Sequence, residues 1–360
     1  MLPEGAKTVK ENGSEFYVGK GIFYNPFMEL SRTLSSLAIR EIDDKLNVLD
    51  AFAASGIRGM RYAIECKNVE SVDFVDADPN AIKSIKKNIK KHGISGKAIN
   101  SDAIGYMLGK GDRKYNFVDL DPFGSPVPFL HSAIRSMRKN KVAYISATAT
   151  DTAVLCGTHP KPCVKNYHAK PMLNEFCHET GLRILIKRAM ESAHEFNFGI
   201  EPLLCFYYRH QMKIILRLRR GAEHCDANLE NIGYVFSFDK NAVFVKTSKK
   251  PIIGKKYYDY AGPLWMGNLA EKGMAKKALK NADGEARRML ELIIGEIGYP
   301  PFFLSLSDAS RARKKSPPKT EDVISNFKKL GGSAVKTHFD RRGIKYKGDA
   351  EKIVEAFDKS

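Results

Sequence analysis

The chain has 360 residues, of which 43% are hydrophobic and 28% charged, as in soluble globular proteins with about two domains. This length and composition exclude a disulfide-stapled miniprotein and a largely disordered chain. No window approaches about 18 consecutive apolar residues, and the first residues lack the apolar stretch of a signal peptide. We therefore expect a cytoplasmic protein without a membrane partner.

The net charge of +18 is high and unevenly distributed. Residues 1–200 contain 28 basic and 22 acidic residues, whereas residues 201–360 contain 31 and 19. An excess of this size favours a polyanionic partner such as nucleic acid. A lysine-rich surface adapted to high temperature is the alternative, but the number of acidic residues would then be expected to increase together with the number of lysines. The sequence thus predicts a nucleic-acid contact, mainly in its C-terminal part.

Six cysteines occur without a C-x2-C pair, which excludes a zinc ribbon. Cys156 and Cys163 flank His159, but this spacing is not typical of a metal site. We therefore predict no bound metal, and we expect most cysteines to be small buried apolar side chains.

Helical and strand patterns alternate along the first 150 residues. Helices are predicted at 28–41, 57–66 and 79–92, and strands at 47–53, 71–75, 98–100, 115–120 and 141–147. This alternation predicts a parallel, doubly wound sheet, in which ligands bind at the carboxyl ends of the strands.

Later segments are expected to complete this sheet and to add a second unit. Residues 202–210 and 211–219 are rich in β-formers and predict an antiparallel pair that completes the sheet. Residues 234–238 and 242–247 predict a hairpin. Helices are expected to resume near Gly267, and residues 311–320 are predicted to form a basic linker or loop.

Small residues follow the first predicted strand, where residues 54–59 form a variant of the G-x-G-x-x-G turn. Such a turn lets a ligand approach the amides at a helix N-terminus. Asp76 closes the next strand, 20 positions after Gly56, where its carboxylate can accept hydrogen bonds from both ribose hydroxyls. The pattern fits a dinucleotide, S-adenosylmethionine, or a tight turn with packing requirements alone.

Further acidic residues separate these alternatives. Asp102 follows the third strand, where its carboxylate and an adjacent backbone N–H can contact the amine and ring nitrogen of adenine. Asp50, Asp76 and Asp102 would then lie at three successive strand ends. Three carboxylates would repel a pyrophosphate and attract a sulfonium cation. The sequence therefore favours S-adenosylmethionine over a nicotinamide dinucleotide.

The segment after the fourth strand carries a second signature, DPFGSP at residues 121–126. A carboxylate beside a proline and an aromatic ring suits the methylation of an amino group on a planar base. Asp121 can accept the N–H proton as positive charge develops, with help from the Pro122 carbonyl, while Phe123 stacks on the base. A turn with an aspartate cap and a buried phenylalanine is the alternative interpretation.

These segments resemble the motifs of the tRNA guanine-26 N2-dimethyltransferases. The similar segments are FYNPFM (23–28) with 31–32, AASGIRGMR (53–61), DPFGSP (121–126), 156–158 with 170–171, 181–185, AGPLWMG (261–267), and 337–339 with 343–345. The resemblance implies an α/β fold with a doubly wound, Rossmann-like S-adenosylmethionine-dependent methyltransferase domain at 1–262, including a hairpin segment at 223–262. It also implies a smaller basic α+β domain at 263–360 that binds tRNA.

The resemblance implies a set of residues that hold the cofactor. Arg32 and Arg58 would bind the methionine part of S-adenosylmethionine, and Asp76 its ribose. Asp102 and the Ala103 N–H would bind its adenine. A surface charge on a helix remains the alternative for Arg32.

It likewise implies the residues that meet the substrate base. Asp121 would be the catalytic acceptor, and Phe23 and Phe123 would enclose a guanine flipped out of the tRNA. Ordinary core packing remains the alternative for Phe23.

One departure from the family concerns zinc. Many members have two C-x2-C pairs before the GPLW segment, whereas residues 233–260 contain no cysteine. We expect aromatic packing by Tyr234, Phe236, Phe238 and Phe244 to replace the zinc-bound loop, and no metal to be needed.

The predicted reaction is dimethylation of the exocyclic N2 of guanine 26 in tRNA, with S-adenosyl-L-methionine as donor and S-adenosyl-L-homocysteine as product. Residues 301–350, with 12 basic and 5 acidic residues, are expected to contact tRNA phosphates. No obligatory protein partner is implied. Another RNA guanine-N2 methyltransferase, or a DNA or rRNA amino-group methyltransferase, is the alternative. Two further alternatives are a nucleotide-binding oxidoreductase and a noncatalytic nucleotide- or RNA-binding protein.

Overall fold

The computed structural model describes residues 6–109, 115–237, 245–250 and 257–360. Its strands, in chain order, are β1 Lys7–Glu11, β2 Ser14–Val18, β3 Leu46–Asp50, β4 Val69–Asp76, β5 Ala98–Asn100, β6 Phe117–Leu120, β7 Val142–Ala149, β8 Phe198–Tyr208, β9 Gln211–Arg220, β10 Ile232–Ser237, β11 Val245–Ser248, β12 Asp259–Trp265, β13 Leu304–Ser305, β14 Ser333–Lys336 and β15 Gly343–Lys347.

The helices surround these strands. In chain order they are α1 Glu29–Arg40, α2 Ile57–Glu65, α3 Pro79–His92, α4 Ala103–Leu108, α5 Val127–Ser136, α6 Thr152–Leu155, α7 Pro160–Tyr167, α8 Cys177–His194, α9 Ala222–Leu229, α10 Lys272–Lys280, α11 Gly284–Glu296, α12 Leu306–Arg313, α13 Thr320–Lys329 and α14 Ala350–Asp358. A 3-10 turn, Pro26–Met28, leads into α1.

The central sheet confirms the predicted doubly wound architecture. In the described part of the chain it has seven strands in the order β5-β4-β3-β6-β7-β9-β8. The strands from β5 to β7 pair in parallel, whereas β9 pairs antiparallel with both β7 and β8. The order reverses between β3 and β6, which is where such sheets bind ligands.

Local sequence signals explain the elements around this reversal. Helix α3 begins where the Asp78 side chain accepts a hydrogen bond from the Asn80 N–H, and it ends at Gly93 in a left-handed conformation. Gly56 has a φ of 75° at the start of α2, and an added Cβ would lie 2.7 Å from Met60 Cε. The turn after β3 therefore requires glycine at this position.

The two faces of the sheet are covered by different sets of buried side chains. Leu49 and Val118 belong to one buried cluster, while their neighbours Val48 and Phe117 belong to the other. This alternation follows from the two-residue period of a strand. A third cluster lies within the C-terminal segment, from Leu304 to Phe357.

Helices α10 and α11 pack into the cluster that also contains α1, so they lie against the sheet domain. The predicted division after residue 262 remains a prediction. The C-terminal segment does combine helices with the small sheet β13-β15-β14.

Two predictions about irregular segments need correction or completion. The run 311–320 is not all loop, because α12 extends to Arg313 and α13 begins at Thr320; Lys314 ends α12 in a left-handed conformation. Strands β10 and β11 form the predicted antiparallel hairpin, and β12, which the sequence pattern did not reveal, pairs with the other edge of β10. The hairpin turn, with Phe238 and Phe244, lies outside the described residues.

Among the described helices, none combines the length and apolar character needed to cross a lipid bilayer.

Candidate active site

A cavity of about 410 Å³ opens at the carboxyl ends of the parallel strands. Its lining includes every residue assigned to the site from the sequence: Phe23, Arg32, Arg58, Asp76, Asp102, Ala103, Asp121 and Phe123. These residues span 100 positions of the chain. Those from Arg58 to Phe123 come together because β3, β4, β5 and β6 are neighbours in the sheet.

Backbone amides orient two of the carboxylates at one end of the cavity. Asp76 accepts hydrogen bonds from the Ala54 N–H at 2.7 Å and from the Asp78 N–H at 2.9 Å. Asp102 caps α4 by accepting from the Gly105 N–H at 2.8 Å, and Ala103 is the first residue of that helix. Each carboxylate retains acceptor capacity, so both can bind polar groups of a ligand.

At the other end, Asp121 is paired with Arg58. The guanidinium donates through Nε and Nη2 to Asp121 Oδ2, at 3.1 and 2.7 Å. Arg58 is almost fully buried, whereas 30% of the Asp121 side chain is exposed. From the sequence, Arg58 was expected on the cofactor and this contact was not foreseen, since nothing local relates the first turn of α2 to the end of β6.

The ion pair determines the charge state of Asp121. Burial alone would raise the pKa of this carboxyl, but the positive charges of Arg58 and then Lys213 outweigh it and lower the pKa to about 2. Asp121 is therefore ionised at neutral pH. It is a good hydrogen-bond acceptor and a weak base.

A buried polar network lies beneath this pair. Lys213 Nζ donates to Asp119 Oδ1 at 2.9 Å and to Thr148 Oγ1 at 3.0 Å, and the Tyr62 hydroxyl donates to Asp119 Oδ2 at 2.6 Å. The side chains of Lys213 and Asp119 are fully buried. Lys213 was missed from the sequence, although a lone lysine among the apolar residues of β9 was a usable signal.

Asp50 contributes less negative charge than its place at a strand end suggested. Its side chain is buried and accepts a hydrogen bond from the Gly59 N–H at 3.1 Å. Burial, followed by the charge of Asp119, raises the pKa of Asp50 to about 7. Near neutral pH this carboxyl is therefore only partly ionised.

Arg32 is held by Glu11, a residue that carried no signal in the sequence. Glu11 accepts from Arg32 Nε at 2.9 Å, from Arg32 Nη2, and from Arg61 Nη1 at 3.2 Å. The Tyr24 hydroxyl also donates to Glu11, at 2.9 Å. Because Glu11 lies on β1, the N-terminal hairpin fixes the segment that carries Phe23 and Tyr24 at the cavity.

Two exposed rings stand at the mouth of the cavity. Phe23 and Phe123 are 53% and 79% exposed, so neither is a core residue. Their centroids are 5.0 Å apart with an interplanar angle of 81°, an edge-to-face contact. The rings thus touch each other in this structure, and a base could lie between them only after they separate and turn parallel.

The chain matches the N2,N2-dimethylguanosine tRNA methyltransferase family model over residues 5–358. It belongs to this family. A tRNA (guanine(26)-N(2))-dimethyltransferase of Thermococcus kodakarensis is 36% identical, over 96% of this chain and 95% of that relative. One from Methanocaldococcus jannaschii is 34% identical, over 93% and 92%. The solved complex of Trm1 from Pyrococcus horikoshii with S-adenosyl-L-methionine superimposes with a TM-score of 0.88 at 31% identity, covering 97% of this chain and 99% of that one.

Membership of the dimethylguanosine methyltransferase family confirms the resemblance seen in the sequence motifs, and the structural match confirms the fold class. The donor set of the cavity also fits a sulfonium nucleoside. Oriented carboxylates at Asp76 and Asp102 suit hydroxyl and amine donors, and the arginines of the cavity are engaged by Asp121 and Glu11 rather than turned toward a pyrophosphate.

Proposed function

We propose that this protein transfers methyl groups from S-adenosyl-L-methionine to the exocyclic N2 of guanine 26 in tRNA, with S-adenosyl-L-homocysteine as product. The observation that carries this proposal is the ionised carboxylate of Asp121 at the rim of a nucleoside-sized cavity, next to two exposed aromatic rings. Family membership supports the tRNA substrate. Such a role agrees with the cytoplasmic location expected from the sequence.

The cofactor would be held along the carboxyl ends of the strands. Asp76 would accept from the ribose hydroxyls, and Asp102 with the Ala103 N–H would bind the adenine. Arg32 has Nη1 free of partners among the described residues, so it can contact the methionine carboxylate. Arg58 was also assigned to the methionine part of the cofactor. It would have to make that contact while its Nε and Nη2 remain bound to Asp121. When bound, S-adenosylmethionine supplies an electrophilic methyl group.

Asp121 would act on the guanine amine mainly as a hydrogen-bond acceptor. Arg58 donates to Oδ2 and the Thr148 side chain also hydrogen-bonds to this carboxylate, yet its two oxygens keep acceptor capacity for the amine N–H. A carboxylate with a pKa near 2 does not deprotonate a neutral amine. As the nitrogen becomes positive, however, the fixed negative charge stabilises it. The proton of the methylated nitrogen is then more acidic than a carboxylic acid, so it can pass to Asp121 Oδ1 and from there to water.

Phe23 and Phe123 would bind the guanine after its extrusion from the tRNA. A base within a stack cannot bring its amine to the methyl donor, so the nucleotide must flip out. Aromatic faces then replace the stacking partners that the base has lost. The two rings must give up their mutual edge-to-face contact to accept it.

The C-terminal segment would bind the phosphate backbone through exposed basic side chains. Arg311, Lys314, Lys315, Arg341 and Arg342 are exposed. Lys345, one of the basic residues of the segment 301–350 that was expected to contact tRNA, is instead buried against Glu179 and Glu296 and cannot take part. Contacts of the exposed residues would give affinity and orientation without reading base sequence.

Mass spectrometry of nucleosides and of ribonuclease fragments, after incubation of unmodified tRNA with enzyme and S-adenosylmethionine, tests the proposal. We expect N2,N2-dimethylguanosine at position 26. A methylated guanine elsewhere in tRNA, or methylation of rRNA or DNA in preference to tRNA, would replace the proposed substrate with one of the alternatives.

A further inference from the structure

Three potential metal ligands meet outside the cavity. Cys156 follows α6, and Cys177 and His178 are the first two residues of α8. Their ligand atoms, two Sγ atoms and one imidazole nitrogen, all lie within 4.8 Å of one another. Cys156 is buried and the other two are half-buried. We propose that these three side chains bind one zinc ion, with water as the fourth ligand.

The observed spacing is close to that of a loaded site. A tetrahedral zinc with bonds of about 2.3 Å to sulfur and 2.0 Å to nitrogen keeps its ligand atoms about 3.5–3.8 Å apart. The distances between the three ligand atoms therefore need to shorten by at most about 1 Å to hold the ion, and rotation of the side chains can supply this change. Two thiolates and one imidazole also form a ligand set that favours zinc over magnesium or calcium.

The imidazole is oriented independently of the two sulfurs. The His178 ring stacks on Tyr207 with centroids 3.9 Å apart and an interplanar angle of 13°. Among the described residues, neither ring nitrogen has a hydrogen-bond partner, so one is free to bind an ion. A thiol–thiol hydrogen bond would explain why the sulfurs approach each other, but it would leave this nitrogen beside them without a partner.

This proposal departs from the sequence analysis, which found the spacing of Cys156, His159 and Cys163 untypical of a metal site and predicted no bound metal. Within the described residues, the structure assembles Cys156 with Cys177 and His178 instead. These ligands lie 21 and 22 positions from Cys156 and are brought to it by the packing of α6 against α8. Such a juxtaposition cannot be read from local spacing.

The ion would stabilise the residues that contact the DPFGSP segment (121–126). Asp151 immediately precedes α6 and accepts a hydrogen bond from the Tyr167 hydroxyl, which also contacts Ser125 Oγ at 2.7 Å. Zinc would join the end of α6 to the start of α8. The three ligands do not line the cavity, so the ion would take no part in methyl transfer. This inference does not depend on the proposed methyl transfer.

Metal content and cobalt spectroscopy of the full chain test the proposal. The protein is reduced, stripped with a chelator, incubated with Zn²⁺ alone, dialysed and analysed for bound zinc. Co²⁺ alone is added to a second sample to look for thiolate-to-cobalt charge-transfer absorption. The variants are Cys156→Ser, Cys177→Ser and His178→Gln. Cys225→Ser serves as the matched control, because it removes a half-exposed thiol outside the group.

We expect one equivalent of zinc and the cobalt–thiolate band in wild type and Cys225→Ser. Each ligand variant should lose at least about 100-fold in zinc affinity, beyond the usual effect of changing an outer-shell partner. His178→Gln keeps both thiols, so it remains informative if a cysteine variant fails to fold. Absence of zinc from wild type, full zinc binding by His178→Gln, or a Cys156–Cys177 disulfide in the protein isolated from the cytosol would overturn the proposal.

Discussion

Asp121 is partly exposed and its carboxyl is strongly acidic, a combination that favours acceptance of hydrogen bonds over removal of protons. Two buried cations create this state, Arg58 by direct contact and Lys213 from the layer below. The site therefore stabilises positive charge on the amine with a fixed negative charge. A carboxylate that is already ionised and oriented needs little reorganisation during the reaction.

Replacement of Asp121 tests its role in the chemical step. We expect Asp121→Ala to lower the single-turnover methylation rate by about 10²–10⁴-fold, because the developing charge loses its acceptor. Affinity for tRNA, measured by filter binding, should stay within a few fold. Asp121→Asn, which keeps the shape but not the charge, should be similarly slow. Undiminished turnover in either variant contradicts the assignment.

Arg58 is expected to control the pH dependence through Asp121. In wild type the carboxylate is the active form, and its pKa of about 2 leaves the rate independent of its titration above about pH 4. In Arg58→Ala the pKa rises toward or above the ordinary 3.8, so the acid limb of the kcat profile moves to higher pH. The rate is measured at saturating concentrations of tRNA and S-adenosylmethionine. Any loss of cofactor affinity in Arg58→Ala then raises KM and does not alter the kcat profile.

Arg217 offers a matched control for this measurement. It pairs with Glu201 on the sheet and does not line the cavity. Arg217→Ala should leave the pH profile where it is in wild type. An unshifted acid limb in Arg58→Ala would show that the pair does not set the acidity of Asp121.

Asp50 should make stability fall as pH rises. Its pKa is raised from 3.8 to about 7 in the folded protein, so between these values the unfolded state loses a proton that the folded state retains. We expect the stability of Asp50→Asn relative to wild type to improve from pH 4 to pH 7, by at most about 4 kcal/mol. Urea unfolding at several pH values measures it, and a constant difference would contradict the raised pKa.

The N-terminal hairpin, β1 and β2, organises the cavity although it lies outside the main sheet. Glu11 on β1 is fully buried and holds two arginines and the Tyr24 hydroxyl. It therefore links the hairpin to α1, α2 and the segment that carries Phe23. Loss of this carboxylate would leave the buried Arg32 guanidinium without an acidic partner, whereas Arg61 would keep its ion pair with Glu65.

Glu11→Gln should destabilise the fold by about 3 kcal/mol, as expected when one member of a buried ion pair is removed. Urea unfolding followed by circular dichroism measures the change. Glu15→Gln is the matched control on the adjacent strand, since Glu15 pairs with exposed lysines at the surface and should have little effect. Equal effects of the two substitutions would argue against the organising role of Glu11.

Elements with local signals were predicted well, whereas contacts between elements were not. Helix α3 was predicted at its observed limits because Asp78 and Gly93 mark its ends within the sequence itself. The β1–β2 hairpin was missed even though Asn12-Gly13, both with positive φ, is a typical hairpin turn. The residues that the motifs assigned to the site line one cavity, but the Arg58–Asp121 and Asp119–Lys213 pairs depend on which faces meet in the folded chain.

The charge distribution of the whole molecule predicts a strong salt dependence of tRNA binding. Substitution of Arg341 and Arg342 by glutamine should weaken binding at all tRNA sequences alike, because both side chains are exposed and suited to phosphate contacts. The slope of log affinity against log salt should fall by roughly 0.7–0.9 for each phosphate that is no longer neutralised. The rate at saturating tRNA should remain close to that of wild type.

Lys249→Gln provides the comparison for this experiment, because Lys249 is exposed but already paired with Glu230. It should change the salt slope little. If tRNA affinity does not change when Arg341 and Arg342 are replaced, these two residues are not part of the proposed tRNA contact.

Lys345 connects the C-terminal segment to the sheet domain through buried charges. Its ammonium lies 2.8 Å from Glu179 Oε1 and 3.0 Å from Glu296 Oε2, and the Phe302 N–H donates to the same Glu179 oxygen at 3.0 Å. The exposed Arg341 and Arg342 are therefore held at a fixed distance from the cavity. Because phosphate contacts do not read bases, the protein would select its guanine by the distance along the tRNA between the bound phosphates and the cavity. We expect that a base pair inserted between those phosphates and the target guanine would bring a different nucleotide to Asp121.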